Sequence, residues 1–463
     1  MPLLDPADPR PVHFVGIAGA GMSALAELFV RRGVKVTGCD ANPSNTADLR
    51  RLGITVGPHD PAHVAGVRAL VVTSAMPKDH PELARARECG VPVIRRADAL
   101  GEVTNGRELV GVAGTHGKTT TTVMTTEALA ASGRDPTALV GGRVAAWSGN
   151  LRAGADQLYV VEADEYDRSF LALTPTVAVV TNIEADHLDI YDGVADIRRA
   201  FSQFVAGARA IVICGEDAGA SALRLPTGAE VIRYAIADGT RPPDALRDAR
   251  LVGQAVRHGA EGSSFELEFD GEALGTVDLG VPGRHNILNA LAALGSGLAL
   301  GAKASDLARG LAAFDGVERR FERIGEAGGV TIFDDYAHHP TEIAATLAAA
   351  RDSFPARRLV VAFQPHLFSR TRDFAQDFAN ALAGADAVFL TEIYPSREQP
   401  IAGVTSSLIA DRLLGHLAWR GQRADLAQAL AAAVGDGDLV IVMGAGDITQ
   451  TGPELLALLR ERK

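Results

Sequence analysis

The run Gly114-Thr115-His116-Gly117-Lys118-Thr119-Thr120 follows the apolar stretch Leu109-Val-Gly-Val-Ala and precedes the helix-compatible Thr121 to Ala131. Strand, glycine-rich turn, lysine and then a hydroxyl at a helix start is a layout that cradles nucleotide phosphates. Backbone N–H groups at the helix N-terminus face the anion, Lys118 offsets charge on the β and γ phosphates, and the Thr119 hydroxyl can ligate Mg2+. The general pattern has glycine at position 112; this chain has Val112, so the loop relies on Gly114 for its freedom. A second glycine-rich turn, Gly16-Ile-Ala-Gly19-Ala20-Gly21-Met22-Ser23, also lies between strand-like and helix-like stretches, with Asp40 closing the next strand. Its spacing is G-x-x-G-x-G, not the G-x-G-x-x-G of dinucleotide sites, which favours some other diphosphate-bearing ligand over a nicotinamide cofactor. Glycines used only for close helix–strand packing are the competing reading.

Further strings carry groups able to do chemistry. Glu162-Ala-Asp-Glu-Tyr-Asp167 follows the apolar Leu158 to Val161, and of its carboxylates Glu162 alone comes straight off the strand, where a Mg2+ ligand or water-positioning group belongs. The other acids, Asp164, Glu165 and Asp167, read as a solvated loop. His187 ends a similar strand-to-loop string, Val177 to His187, although a lone histidine is more often structural than a ligand. In Gly283-Arg-His-Asn286-Ile-Leu-Asn289 the amides can read a base edge. Asp334-Asp335-Tyr336-Ala-His338-His-Pro340 sets acid, phenol and imidazole at a strand end. In Gln364-Pro-His-Leu-Phe-Ser-Arg370, the arginine can clamp a carboxylate or pair with a surface acid.

The elements that must hold these groups recur along the chain. Short apolar runs closed by Gly or a polar turn alternate with Ala/Leu-rich helical stretches, as in parallel α/β sheets. Three blocks result, at 1–106, 107–316 and 317–463. Near the end of the second, Ser264 to Phe269 and Leu274 to Leu279 alternate with period two around Asp270-Gly271, which predicts an antiparallel hairpin. The 463 residues suit about three domains at roughly 150 residues each. A 47% hydrophobic content supplies their cores, and a net charge of −12 disfavours nucleic acid and anionic membrane as partners. Cys39, Cys89 and Cys214 are too dispersed for a disulfide framework or the close-spaced pairs of a zinc site, which fits a reducing cytoplasm. The proline- and aspartate-rich start lacks the features of a signal peptide, and no run reaches the ~20 apolar residues of a membrane span.

Taken in order, these strings resemble the bacterial Mur ligases over the whole chain. Arg319-Arg-Phe-Glu322 and Gly444-Ala-Gly446 add to the likeness. The resemblance implies an α/β protein of three domains: Rossmann-like at the N-terminus, a central P-loop-type ATPase domain with a mainly parallel sheet, and a Rossmann-like C-terminal domain. It implies ATP-dependent ligation of L-alanine to the lactyl carboxylate of UDP-N-acetylmuramate through an acyl phosphate, in peptidoglycan synthesis. Gly19, Ala20, Gly21, Met22 and Ser23, with Asp40 and Ser74, would serve the UDP-sugar. Gly114 to Thr120, Asn286, Asn289, Arg320 and Asp335 would serve ATP. Thr119, Glu162 and His187 would hold Mg2+, or Mn2+ in its place. Tyr336, His338 and Arg370 would bind the amino acid, with Lys118, His338 and Arg370 acting in catalysis and His338 as a candidate base. The protein would be a cytoplasmic monomer or homodimer. Two departures stand out. Relatives that use a carbamylated lysine for a second Mg2+ find no counterpart here, because no lysine lies between Lys118 and Lys303. Leu367 stands where relatives often place arginine. Rival expectations are a ligase that recycles a preformed peptide onto the same sugar, an NAD(P)-dependent reductase built on Gly16 to Asp40, and a nucleotide-binding switch without product.

Overall fold

The short Val/Ile-rich runs become strands enclosed on both faces, the burial that parallel sheets impose. A computed structural model describes residues 2–74, 76–239, 244–259, 262–396 and 398–462. Among the described residues the strands form three sheets, of five, ten and six strands. The N-terminal one contains β1 (Val12–Val15), β2 (Val36–Cys39), β3 (Thr55–Gly57), β4 (Ala69–Val72) and β5 (Val93–Arg95), all parallel in the order β3-β2-β1-β4-β5. This is the Rossmann-like order, and it reverses direction at β1, the strand that feeds the first glycine-rich turn. The ladder of β2 starts at Val36, opposite Val12.

The central sheet has ten strands: β6 (Glu108–Ala113), β7 (Thr137–Val144), β8 (Gly149–Arg152), β9 (Leu158–Glu162), β10 (Val177–Val180), β11 (Ala210–Cys214), β12 (Glu230–Ala237), β13 (Leu251–Gly259), β14 (Gly262–Phe269) and β15 (Glu272–Leu279). Their order is β15-β14-β13-β12-β11-β10-β6-β9-β7-β8, parallel from β13 through to β7 and antiparallel between β7 and β8. β14 and β15 meet through Asp270-Gly271, both left-handed (φ 52° and 82°), the two-residue hairpin turn that the alternating pattern predicts.

The third sheet joins β16 (Glu322–Ala327), β17 (Val330–Asp335), β18 (Leu359–Phe363), β19 (Ala387–Thr391), β20 (Leu417–Gly421) and β21 (Leu439–Met443). Its order is β16-β17-β21-β18-β19-β20, antiparallel only at β16.

The chain groups into two compact units: residues 1–256, 265–278 and 287–314 form one, and 257–264, 279–286 and 315–463 the other. In the first unit one apolar cluster runs through both sheets, from Phe14, Leu25, Leu100 and Val103 to Tyr159, Phe170 and Phe201. Contact there is close: a Cβ placed on Gly101 would lie 2.3 Å from the Ala172 carbonyl oxygen. In the second unit separate clusters cover the sheet, one containing Phe363, Phe378 and Ile441 and the other Phe389, Leu430 and Leu455. Among the described residues no helix is long and apolar enough to cross a membrane.

Candidate active site

The phosphate-type loop starts where β6 stops. Val112 is a fully buried residue of that strand, registered with Glu162 on β9 and Val179 on β10, so the position that the general pattern gives to glycine belongs here to the sheet. Gly114 then turns at φ 147°, with Thr181 Oγ1 only 1.9 Å from where a Cβ would stand. Gly117 is left-handed at φ 80°, and a Cβ there would meet Asn289 Oδ1 at 2.6 Å. The exit of β10 braces the loop. Asn182 accepts from the His116 N–H (2.7 Å) and donates to the His116 carbonyl (3.1 Å), Thr181 Oγ1 donates to that same carbonyl (2.6 Å), and the Glu184 N–H donates to Thr115 Oγ1 (2.9 Å).

Helix Lys118–Ala131 opens on the loop. Lys118 Nζ donates to the carbonyls of Gly114 (2.6 Å) and Thr115 (3.1 Å) and to Glu165 Oε1 (3.0 Å). Burial works against the ammonium, but the charge of Glu165, then Asp164, outweighs it and holds the Lys118 pKa above the ordinary lysine value. Thr119 Oγ1 donates to Glu162 at 3.0 Å, and the Gly141 N–H donates to Glu162 Oε2 (2.6 Å). Thr120 is buried behind them, and Thr121 Oγ1 donates to Asn289 Oδ1 (3.1 Å). His187, with a left-handed backbone (φ 51°), holds Nε2 3.7 Å from Glu165 and 3.7 Å from Asp186. Glu165, which the acidic run suggests is solvated, is instead 3% exposed and paired with Lys118.

The N-terminal glycine-rich turn faces a cavity of about 190 Å3 lined by Gly19, Gly21, Met22, Thr73, Arg96 and, from the central sheet, Glu162. Helix Ala20–Arg31 begins there, and the carboxylate of Asp40 fixes the turn by accepting from the N–H groups of Ala18 (2.9 Å) and Asn42 (2.9 Å). Ser23 donates to the Ala20 carbonyl (2.9 Å), and Ser74 is exposed in the turn after β4. Sequence reasoning missed Arg96. Its Nη1 lies 3.0 Å from a Cβ built on Gly21, so a cation stands against the turn.

In the second unit, β17 delivers Asp334 and Asp335. Both oxygens of Asp335 are engaged, accepting from the N–H groups of Ala337 (2.7 Å) and Phe321 (2.8 Å), and burial lifts its pKa to about 6 against the pull of Arg320. The guanidinium groups of Arg319 and Arg320 lie 4.9 and 5.1 Å from the centre of the Tyr336 ring. Arg319 is tied to Asp334 (3.1 Å). His338 Nδ1 lies 3.0 Å from the Tyr336 carbonyl and 3.3 Å from Glu342 Oε2. Both neighbours are acceptors, so the proton belongs on Nδ1 and Nε2 carries the lone pair. Glu342 also completes a capping box on helix Pro340–Ser353. Arg370, on the short helix Phe368–Asp373, is only 7% exposed, which removes the reading as a surface ion pair. Leu367 just before it is left-handed at φ 70°. Asn286 is buried and donates to the Pro282 carbonyl (2.7 Å).

Three mainly parallel sheets, the middle one bearing a braced phosphate-type loop, define a multidomain α/β enzyme fold of the nucleotide-binding kind. The chain belongs to the Mur ligase family: residues 11–108 match the Mur ligase family catalytic domain, 112–297 the Mur ligase middle domain, and 319–446 the Mur ligase glutamate ligase domain. It is 46% identical to the UDP-N-acetylmuramate–L-alanine ligase of Acidothermus cellulolyticus, over 97% of this chain and 95% of that protein. The crystal structure of the UDP-N-acetylmuramate-alanine ligase of Thermotoga maritima is similar with a TM-score of 0.82 at 30% identity, covering 98% of this chain and 100% of that one. A murein peptide ligase from Psychrobacter arcticus follows with a TM-score of 0.71 at 25% identity, covering 98% and 99%.

Proposed function

We propose that the protein joins L-alanine to the lactyl carboxylate of UDP-N-acetylmuramate at the expense of ATP, giving UDP-N-acetylmuramoyl-L-alanine, ADP and phosphate in peptidoglycan synthesis. The observation that carries this reading is the 46% identity, across nearly the whole chain, to a relative of that name. We assign residues 1–106 to the UDP-sugar, 107–316 to ATP and 317–463 to the amino acid.

A carboxylate and an amine do not condense in water. A lactyl oxygen therefore attacks the γ-phosphorus of ATP, the bond from phosphorus to the ADP oxygen breaks, and an acyl phosphate results. The loop N–H groups from Thr115 to Thr119, together with the Lys118 ammonium, offer positive charge to the phosphates as it develops on their oxygens. Thr119 and Glu162 fit Mg2+, and Mn2+ equally, because a hydroxyl and a carboxylate are hard oxygen donors and meet at 3.0 Å beside the loop. His187 adds one imidazole. A bound ion there supplies charge neutralisation on the phosphate oxygens. Gly19 to Ser23, with Asp40 holding the turn, Ser74 close by and Arg96 beside it, take the sugar diphosphate, whose binding energy positions the lactyl carboxylate.

In the second unit, Arg370 anchors the carboxylate of alanine, with Tyr336 as a wall. The alanine nitrogen attacks the acyl carbon, its proton passes to Nε2 of His338, and phosphate leaves as the C–O bond breaks. Asn289, Asn286, Arg320 and Asp335 serve the nucleotide, and Asp335 and Arg320 also order the segment that carries Tyr336. A substrate pair of ATP and a UDP-sugar fits a cytoplasmic enzyme. Recycling of a preformed peptide is the second reading, supported by the likeness to the murein peptide ligase at its lower identity.

The test is phosphate release from ATP and Mg2+ with UDP-N-acetylmuramate, offering L-alanine, glycine, L-serine or L-Ala-γ-D-Glu-meso-diaminopimelate. Preference for L-alanine, lost in Lys118→Ala, supports the proposal. Preference for the tripeptide moves the protein to the recycling reaction, and no release with any acceptor removes the ligase reading.

A further inference from the structure

On the face of the N-terminal sheet away from the large shared core, four chemically unusual side chains converge. His13 on β1 and Cys39 at the end of β2 point the same way, being two residues apart in the paired register (His13 opposite Thr37, Val15 opposite Cys39). Against them pack Glu82, from the first turn of helix Pro81–Cys89, and His63, from the turn Pro61–Val64. One nitrogen, sulfur or oxygen from each of the four lies within 4.8 Å of all the others. Burial is deep: His13 is 1% exposed, and Cys39 and Glu82 are 0%.

The spacing is close to that of a coordination shell. A tetrahedral zinc ion with bonds of about 2.0–2.1 Å to N and O and about 2.3 Å to S holds its ligand atoms roughly 3.3–3.6 Å apart. Here Glu82 Oε2 is 3.1 Å from Cys39 Sγ and 3.5 Å from His13 Nε2, and Glu82 Oε1 is 3.2 Å from His63 Nδ1. His13 Nε2 makes no hydrogen bond among the described residues, although its ring is fixed from the other side by Nδ1 against Thr37 Oγ1 at 2.8 Å. A ring oriented through one nitrogen, with the other aimed at a buried carboxylate and thiol, is the arrangement of a metal-ligating histidine. His59 Nδ1, 3.1 Å from Cys39 Sγ, is placed to donate to a thiolate from outside the shell. His63 has a side chain 31% exposed, which gives an ion a way in.

We propose that His13, Cys39, His63 and Glu82 form a binding site for a divalent transition-metal ion, zinc by its donor set of one sulfur, two imidazoles and one carboxylate. Entry of the ion displaces the thiol proton of Cys39 to solvent. All four ligand positions are taken by protein, so the site is structural. It clamps β1, β2, the 59–63 segment and helix Pro81–Cys89 at the base of the glycine-rich turn, where the Cys39 carbonyl accepts from the N–H groups of Gly16 (2.8 Å) and Ile17 (3.0 Å). Sequence spacing conceals the site because its residues lie on four separate elements.

The experiment uses the full chain, stripped with a chelator and titrated with Zn2+ or Co2+ in the presence of excess Mg2+ and ADP. The expected result is one equivalent of Zn2+ retained through gel filtration and a rise in Tm. Co2+ should give a thiolate-to-metal charge-transfer band with the intense visible absorption of four-coordination. That band should vanish in Cys39→Ser and persist in Cys89→Ser and Cys214→Ser. His63→Ala, at the most exposed position, should weaken binding at least tenfold; the metal-free variant loses one contact to Glu82, which keeps the Asp60 N–H, and should still fold with a slightly lower Tm, which keeps the test open if Cys39→Ser does not fold. No retained equivalent, a Co2+ spectrum without the thiolate band, or unchanged binding in His63→Ala would overturn the proposal and leave the cluster as a hydrogen-bonded network.

Discussion

Gly117→Ala probes the phosphate-type loop at the point where backbone and side chain are both constrained. At φ 80° a residue with a β-carbon costs about 1–2 kcal/mol more than glycine. The new methyl would also stand 2.6 Å from Asn289 Oδ1, so the amide must retreat and surrender the bond from Thr121 Oγ1, worth about 1 kcal/mol. Together these come to about 2–3 kcal/mol. If the loop relaxes away from its geometry, the loss falls on the N–H groups that face the phosphates, and kcat/KM for ATP drops about 30- to 150-fold. If the loop holds, the same loss appears as reduced unfolding free energy. Both are measured, by phosphate release under varied ATP and by urea denaturation. A double-mutant cycle separates the two costs. Asn289→Ala alone loses the Thr121 bond, about 1 kcal/mol. Independent effects would put the double variant at about 3–4 kcal/mol, whereas removing the obstructing amide leaves it no worse than Gly117→Ala, a coupling of about 1 kcal/mol. Wild-type behaviour of Gly117→Ala in both assays, or strict additivity, refutes the reasoning.

Arg96→Ala should raise KM for the UDP-sugar by about 10- to 100-fold, the weight of a charge-assisted hydrogen bond, and leave KM for ATP unchanged; steady-state titration of each substrate checks this. Gly38→Ala would place a Cβ 2.5 Å from Ile17 Cδ1 and 3.0 Å from the Phe14 carbonyl, an overpacking of about 1–3 kcal/mol that should lower Tm without changing kcat. Two groups in the second unit make opposite contributions to stability as pH changes. Burial, then Arg320, lowers the His285 pKa to about 4, so the unfolded chain, titrating near 6.5, takes up the proton first, and stability is lost as pH falls from about 6.5 to 4. Burial raises Asp335 to about 6 from 3.8, so the folded state takes up the proton first and stability is gained as pH falls through that window. Each amounts to at most about 3 kcal/mol and they largely cancel; Asp335→Asn should expose acid lability and His285→Gln the reverse slope, and identical denaturation profiles from pH 6.5 to 4 in all three proteins would dismiss both.

Strands buried on both faces can be read as continuous apolar runs, and β6, β9 and β10 are legible for that reason. β16 (Glu322–Ala327) and β20 (Leu417–Gly421) escaped because edge strands carry polar residues, and β7 because Gly141-Gly142 interrupts its apolar run. The meeting of Lys118, Thr119 and Glu162 at one loop was legible because strand ends and helix starts dictate where such groups stand. Glu165 was misjudged as solvated because its burial depends on Lys118, 47 residues distant, and Asn182 and Arg96 were missed because nothing local marks a brace or a cation supplied by another element.

The close fit between Gly101 and Ala172 bears on modular exchange. The helix Arg96–Thr104 ends next to the junction near residue 106, and its Leu100 and Val103 share an apolar cluster with Phe170 and Leu173 of the central region. A fragment cut at that junction would expose this face to water. A chimera taking its first hundred residues from a relative would have to import the matching wall of the central region too, so recombination at this seam is governed by packing across it and not by the loop that joins the pieces.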